Sequence, residues 1–265
     1  MNTKSRIDSI LKANSLDFSI TGLQSFKLSE LQLEPDLDFH LPTNIRLGHL
    51  VEKIVSELIK SSANFKVLYE NIQIIENKKT IGEIDFIIEE INTKQVIHLE
   101  LAYKFYLLDP SISSELINNW IGPNRNDSLR EKLEKLKSKQ LPLLYDNCTK
   151  AKFNDIAIDE VSQAICLCVS LFIPYEFKGN ISSIYDKAIR GYYLNLETFT
   201  HLDNSSKGYH LPSKKEWGMG PSENEIWTDF QGIEKTIHTI IKGKQSPLCW
   251  QKHRGSYISF FIVWW

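Results

Sequence analysis

Gly82-Glu83-Ile84-Asp85-Phe86, with His98-Leu99-Glu100-Leu101-Ala102-Tyr103-Lys104 after it, is the stretch that decides the fold. Thr80 to Ile88 is rich in Ile and Phe, and Ile97 to Leu107 carries Leu, Tyr and Phe throughout. Such runs mark largely buried strands. Each is interrupted by acids that an ordinary core excludes, because a buried carboxylate is costly unless it is paired or bound to a metal. Two acids on adjacent strands, with a lysine just beyond, are what a divalent-metal hydrolase needs. The metal takes hard oxygen ligands, and the cation stabilises charge that develops on phosphate.

The strand period of two puts Glu83, Asp85 and Ile87 on one face of the first strand. It puts His98, Glu100, Ala102, Lys104 and Tyr106 on one face of the second. The connection Glu89-Glu90-Ile91-Asn92-Thr93-Lys94-Gln95 is short and polar, which predicts a hairpin. In a hairpin Asp85 and Glu100 can face the same side, although the register is not fixed by sequence. The same alternation also suits an exposed sheet face with ordinary surface charges. His98, beside Glu100, reads either as part of a site or as a packed, hydrogen-bonded histidine.

The order helix with Glu, strand with Asp, strand with Glu and Lys resembles the PD-(D/E)xK nuclease superfamily, the restriction-endonuclease-like fold. Three segments are more closely similar to an uncharacterised bacterial family, domain of unknown function family 1853. They are Gly82-Glu83-Ile84-Asp85-Phe86, His98 through Leu107, and Trp120-Ile121-Gly122-Pro123-Asn124-Arg125 with Leu129 beyond it. The likeness is good from about Arg46 to Pro142 and thinner elsewhere.

Carried over residue by residue, the resemblance makes Asp85 the first metal-binding acid and Glu100 the second, helped by the backbone carbonyl of Leu101. It makes Lys104 the catalytic lysine and Glu52 the acid on the preceding helix. The implied cofactor is Mg²⁺ or Mn²⁺ and the implied partner is nucleic acid, with DNA favoured. One departure stands out. The superfamily's usual lysine lies two residues after the second acid, where this chain has Ala102. Lys104 is on the same face but roughly 13 Å from Glu100 by strand rise. The resemblance therefore implies two expectations: a metal-dependent nuclease, or a catalytically degenerate nuclease-fold module that binds nucleic acid or a protein.

The basic helix and its loop extend the site. Leu47 to Ile59 carries Leu47, Leu50, Val51, Ile54 and Leu58 at helical spacing, with Glu52 beside that stripe. Leu129 to Gln140 reads as a second helix, with Leu129, Leu133, Leu136 and Gln140 along one stripe. Gln140 on a buried face needs a partner. Superfamily relatives place a glutamine near metal-bound water from such a helix, and a frayed end before Pro142 is the plain alternative. Arg125, Arg130, Lys132, Lys135 and Lys139 form a candidate phosphate-contact surface, or simply a solvated helix face. Trp120 is expected to pack, or to stack on a base.

Length and composition bound the rest. With 265 residues, 42% apolar and 24% charged, the chain has globular values. A net charge of −2 excludes a globally basic nucleic-acid binder, so any basic surface is local. Cys148, Cys166, Cys168 and Cys249 form no C-x-x-C pair, and Cys166 and Cys168 read as reduced core residues. Met1 to Arg6 leads into no apolar run of signal-peptide length, so no secretory signal is expected, and the apolar ending from Tyr257 to Trp265, too short to span a bilayer, reads as a buried strand. A soluble, cytoplasmic protein is expected. No repeat, Walker-type loop, zinc-ligand spacing or serine nucleophile elbow is present.

The expected architecture is α/β, with a restriction-endonuclease-like core, a mixed central sheet and flanking helices. Residues 1–45 read as a cover segment that includes Pro35, Asp36, Asp38 and Pro42. Residues 46–175 read as the core, and 176–265 as an extension packed on it. Short helices are expected at Ser111–Asn119 and, helix-like or mixed, at Ile181–Asn195. An amphipathic helix is expected from Glu223 to Lys242, before a final strand pair.

Overall fold

The computed structural model describes residues 3–34, 37, 39–42 and 44–265. Pro35, Asp36 and Asp38 of the expected cover segment lie outside the described residues. In chain order the main elements are α1 (Thr3–Leu11), α2 (Leu47–Lys60), β1 (Phe65–Glu76), β2 (Lys79–Glu90) and β3 (Val96–Leu108). There follow α3 (Leu129–Lys135), β4 (Ser162–Pro174), β5 (Ile189–Asn195), α4 (Leu196–Leu202) and β6 (Lys207–His210). The last are α5 (Phe230–Lys242), β7 (Leu248–His253) and β8 (Ser256–Val263). The protein is mixed α/β, with mixed β-sheet flanked by helices. No helix among the described residues is long and apolar enough to cross a membrane.

The chain forms two compact units, each assembled from separate segments. One comprises residues 14–104 and 131–168, and the other residues 1–13, 105–130 and 169–265.

The first unit is built on the meander β1-β2-β3. Its first turn follows directly from local sequence. Glu76 pairs with Lys79, so Asn77 and Lys78 form a two-residue loop, and both have positive φ (48° and 63°). That is the conformation whose twist suits a tight hairpin, and asparagine tolerates it well. The second hairpin joins β2 to β3 in the register Phe86↔Leu99, Ile87↔His98, Ile88↔Ile97, Glu89↔Val96. Helix α2 buries most of the expected stripe: Leu50, Val51, Ile54 and Leu58 are buried, while Leu47 at its start is partly exposed. Gly82 in β2 lets the Leu143 side chain pack close, since a Cβ there would lie 2.5 Å from its terminal methyl and push it aside. Ile74, Ile84, Ile87, Leu144, Phe153 and Val161 close the core around that approach. Burying such side chains contributes on the order of 2 kcal/mol each.

The expected helix to Gln140 changes type before its end. Regular α-helix stops at Lys135, and Leu136–Gln140 continues as a π turn in which the Leu141 N–H donates to the Leu136 carbonyl. Two residues account for the switch. Ser138 Oγ donates back to the Glu134 carbonyl at 2.7 Å, which competes with the regular ladder. Pro142 has no N–H with which to continue that ladder.

The second unit holds the parallel strands β4-β5-β8 and the antiparallel β8-β7-β6. Ile184, Ala188 and Tyr192 do not share a helix as their spacing suggested. Ser183–Ala188 is a 3₁₀ turn, and Ile189–Asn195 is strand β5, paired on both sides. Isoleucine and tyrosine favour that pleated surface, and the partners that decide it are distant in sequence. Gly191 belongs to the strand because a Cβ there would meet the Ser259 carbonyl oxygen at 2.0 Å. Ser111–Asn119 shortens to a 3₁₀ turn at Leu116–Asn119, since the Asp109 carboxylate holds both the N–H and hydroxyl of Ser111. The last helix starts at Phe230 rather than Glu223. Asp229 caps it by accepting from the Gly232 N–H, the Tyr209–Thr228 bridge precedes it, and Ile226 is left 73% exposed.

All four cysteines are free thiols, and Cys166, Cys168 and Cys249 are buried.

Candidate active site

The site forms where the β2–β3 ladder ends. The last ladder pair is Phe86↔Leu99, so the same register continued by one residue sets Asp85 opposite Glu100. There the side chain takes over from the main chain: Asp85 Oδ2 accepts the Leu101 N–H at 2.8 Å. Asp85 is 9% exposed and Glu100 1%. Asp85 Oδ1 makes no hydrogen bond among the described residues.

Glu100 is held from two directions. His98 Nε2 lies 2.9 Å from Glu100 Oε1, and Gln140 Nε2 donates to Glu100 Oε2 at 2.5 Å. The histidine tautomer follows from its other neighbour. Gln163 Nε2 is a donor only; it donates to the Leu141 carbonyl at 2.6 Å and sits 3.0 Å from His98 Nδ1. Nδ1 is therefore the acceptor, and Nε2 carries the proton that it donates to Glu100. The packed, hydrogen-bonded reading of His98 holds: it is fully buried and both ring nitrogens have partners.

Buried charge is unbalanced here. Burial, the Glu100 carboxylate beside it and the more distant Glu52 push the Asp85 carboxyl up to about 8, opposed by the Leu101 N–H and Lys132. Lys132 answers in the other direction. Burial lowers its ammonium below the usual lysine range, while Asp85 and Glu100 pull it back up.

Lys132, expected with the phosphate-contact lysines or on a solvated helix face, points inward from α3 and donates to Gln140 Oε1 at 2.8 Å. Gln140 thus joins a carboxylate and an ammonium with the two ends of one amide. The signal was available: on a helical wheel Lys132 falls within about 60° of both Leu129 and Leu136, which border the buried stripe.

Lys104, Lys132 and Glu52 line one pocket of about 290 Å³, together with Leu101, Ala102 and Val51. Strand β3 supplies Lys104, α3 supplies Lys132 and α2 supplies Glu52, which also pairs with His49 Nδ1 at 3.0 Å. Asp85 and Glu100 lie beside this pocket without lining it.

The other basic candidates do not join this site. Arg125 is engaged within its own unit, 2.9 Å from Asp109 Oδ2 and stacked 4.6 Å above the Trp265 ring. Lys135, Lys139 and Arg130 are exposed on and beside α3. Trp120 is fully buried against Tyr185, which rules out stacking on a base. Asn124 Oδ1 accepts the Ser246 N–H at 2.8 Å.

The donor set suits a hard divalent cation. Two carboxylates face each other with one oxygen unbonded, and the raised Asp85 is the mark of negative charge short of a counter-ion. No group of three or more His, Cys, Asp and Glu side chains that could hold a metal occurs among the described residues. A cation held by Asp85 and Glu100 would complete its shell with backbone oxygen, such as that of Leu101, and water.

The family model described as Domain of unknown function (DUF1853) matches residues 8–256. No curated protein and no solved structure matches the chain.

Proposed function

This chain belongs to the DUF1853 family, and for it we propose metal-dependent hydrolysis of phosphodiester bonds in DNA on a restriction-endonuclease-like core. The observation that carries the reading is the facing pair Asp85 and Glu100, buried with excess negative charge near Lys132. Asp85, Glu100 and the Leu101 carbonyl are the residues that would hold Mg²⁺ or Mn²⁺. When bound, the metal supplies Lewis acidity and lowers the pKa of a coordinated water.

The chain's own groups do the rest. His98 fixes one oxygen of Glu100 and leaves its charge directed forward. Gln140 spans Glu100 and Lys132, keeping acid and ammonium at a set separation. Lys132 and Lys104 line the pocket where a phosphate would sit, and their ammonium groups stabilise charge that develops on its oxygens. Glu52, on the same wall, orients water. The exposed Lys135 and Lys139 meet the flanking backbone without reading sequence.

One observation favours a second reading, a module of this fold that binds without cutting: Asp85 and Glu100 do not line the pocket. A single assay separates the two. Single- and double-stranded DNA and RNA are incubated with Mg²⁺, Mn²⁺ or EDTA. Cleavage that needs metal and falls to background in both Asp85→Asn and Glu100→Gln is the expected result. Binding without cleavage of any substrate selects the module, and cleavage that survives both substitutions rejects the assigned acids.

A further inference from the structure

The hydrogen bonds around Glu100 close on themselves. His98 Nε2 donates to Glu100 Oε1 at 2.9 Å, and Gln163 Nε2 donates to His98 Nδ1 at 3.0 Å. Gln163 Nε2 gives its second N–H to the Leu141 carbonyl at 2.6 Å. Leu141 follows Gln140 in the chain, and Gln140 Nε2 returns to Glu100 Oε2 at 2.5 Å. This circuit lies wholly within the unit formed by residues 14–104 and 131–168.

Gln163 is the residue through which the two supports of Glu100 meet. An imidazole held at one nitrogen can still swing about that bond, whereas one held at both cannot. The bond to Leu141 pins the residue just past the π turn, and from the end of that turn Gln140 reaches Glu100. A neutral amide suits both tasks, because one nitrogen carries two N–H groups that point in different directions. Its orientation is fixed, since the reverse placement would set the amide oxygen against the Leu141 carbonyl.

The strand that carries Gln163 is itself tied in place. Strand β4 runs beside β3 in the sheet. Ser162 Oγ donates to the Val96 carbonyl at 3.2 Å and accepts from Gln95 Nε2 at 3.2 Å. The start of β4 is thus held to the start of β3, which sets Gln163 next to His98.

We propose that Gln163 is a positioning residue of the acid pair, holding His98 and Leu141 so that both oxygens of Glu100 keep fixed directions. The inference rests on the reading of Asp85 and Glu100 as the cation site, and it adds a residue two bonds removed from it. Partners that orient a metal ligand in this way affect affinity without touching the ion.

The test compares the full-length wild type with Gln163→Met, which keeps the length of the side chain and removes both N–H groups. Gln163 is only partly buried, so water can meet the Leu141 carbonyl in the variant and the fold survives. In EDTA, spectra of isotope-labelled histidine report the Nε2–H proton of His98, assigned from its backbone. The wild type should show this proton in slow exchange, as a fully buried donor. In Gln163→Met it should broaden or vanish.

By calorimetry, Gln163→Met should bind Mn²⁺ about 10- to 100-fold more weakly, the usual cost of losing such a partner. Gln140→Met should also weaken binding. The double variant should lose less than the two separate losses combined, because both act through Glu100. An unchanged His98 signal in Gln163→Met overturns the proposal. So do an unchanged Mn²⁺ affinity and fully additive losses, which would leave Gln163 a structural role alone. A wild type that binds no Mn²⁺ rejects the metal reading instead, and the spectra in EDTA then decide the role of Gln163 by themselves. Should Gln163→Met not fold, Gln163→Asn, whose shorter amide cannot span both partners, is judged by the same two measurements.

Discussion

The two units treat buried polarity in opposite ways. Around Asp85 and Glu100 the polar side chains are gathered into one connected set: His98, Gln140, Lys132 and Gln163 all touch it, directly or through one neighbour. In the other unit they are dispersed among aromatic rings in small separate groups, and the buried Trp250 and Trp264 indole N–H groups are left unmatched among the described residues. Tyr209 donates to Asp203, Tyr193 donates to the Leu108 carbonyl, and Arg125 meets Asp109. Dispersed pairs are what a core adopts when only stability matters, since each buried group then costs little. Crowded like charges raise the free energy of the fold, which makes such a cluster a candidate for chemistry. Four experiments test how deep that contrast runs.

The largest effect should come from neutralising the crowded unit. Asp85 is held to about 8 in the folded chain against an ordinary 3.8, so the native state grips this proton more tightly than the unfolded one. Its stabilising contribution is complete below about pH 4 and is lost as pH rises toward 8. In EDTA, Asp85→Asn should therefore match the wild type at pH 4. At pH 8 it should exceed it by on the order of a few kcal/mol in denaturant unfolding. Mn²⁺ should close that gap by stabilising the wild type alone. A wild-type stability curve that is flat from pH 4 to 8 would remove the charge imbalance on which the contrast rests.

Next is the cation. Lys132→Met should lower single-turnover cleavage by about 100-fold, the scale of one lost transition-state donor. It should leave Mn²⁺ affinity nearly unchanged, because an ammonium is no ligand. Lys104→Met, whose side chain reaches the same pocket from β3, should cost less. The reverse ranking would return the principal role to the strand.

A smaller effect belongs to the dispersed unit. Removing the cap of α5 with Asp229→Ala should lower stability by about 1 kcal/mol, read from the unfolding midpoint, with cleavage unchanged. A larger loss, or one that alters cleavage, would break the division between architecture and chemistry.

The smallest change is one of slope. Reversing Lys135 and Lys139 to glutamate should reduce the salt dependence of DNA binding by about one unit for each phosphate no longer neutralised. An unaltered slope would leave both lysines as solvated surface.

How much of this was legible depended on the range of the forces involved. The β1-β2-β3 meander was readable because alternation and short polar loops are local signals; these allowed Asp85 and Glu100 to share a side, but the register that sets them opposite was not in the sequence. Gln140 was readable as buried, but not the π turn that aims it, which rests on the Ser138 hydroxyl and the missing amide of Pro142. Lys132 was obscured by company: among Arg130, Lys135, Lys137 and Lys139 it looked like one more surface charge, and only its angle on the helix set it apart. Strand β5 was illegible for a different reason. Ile184, Ala188 and Tyr192 fit a helix by accident of spacing, and the partners that make 189–195 a strand lie in β4 and β8, far along the chain. The circuit through Gln163 likewise closes only where the fold brings β3 and β4 together.

The π turn at Leu136–Gln140 also has a consequence for how this protein can vary. Such a turn contains one residue more than the α-helix would use, so it behaves as an insertion absorbed within a helix. Exchange of the exposed Lys137 or Lys139 for another helix-compatible residue preserves the residue count and leaves the aim of Gln140 intact. Deletion of any one of them lets regular winding resume and turns Gln140 about 100° around the axis. Glu100 and Lys132 would then lose their common partner in one step. Along these few positions the chain is tolerant of spelling and intolerant of length.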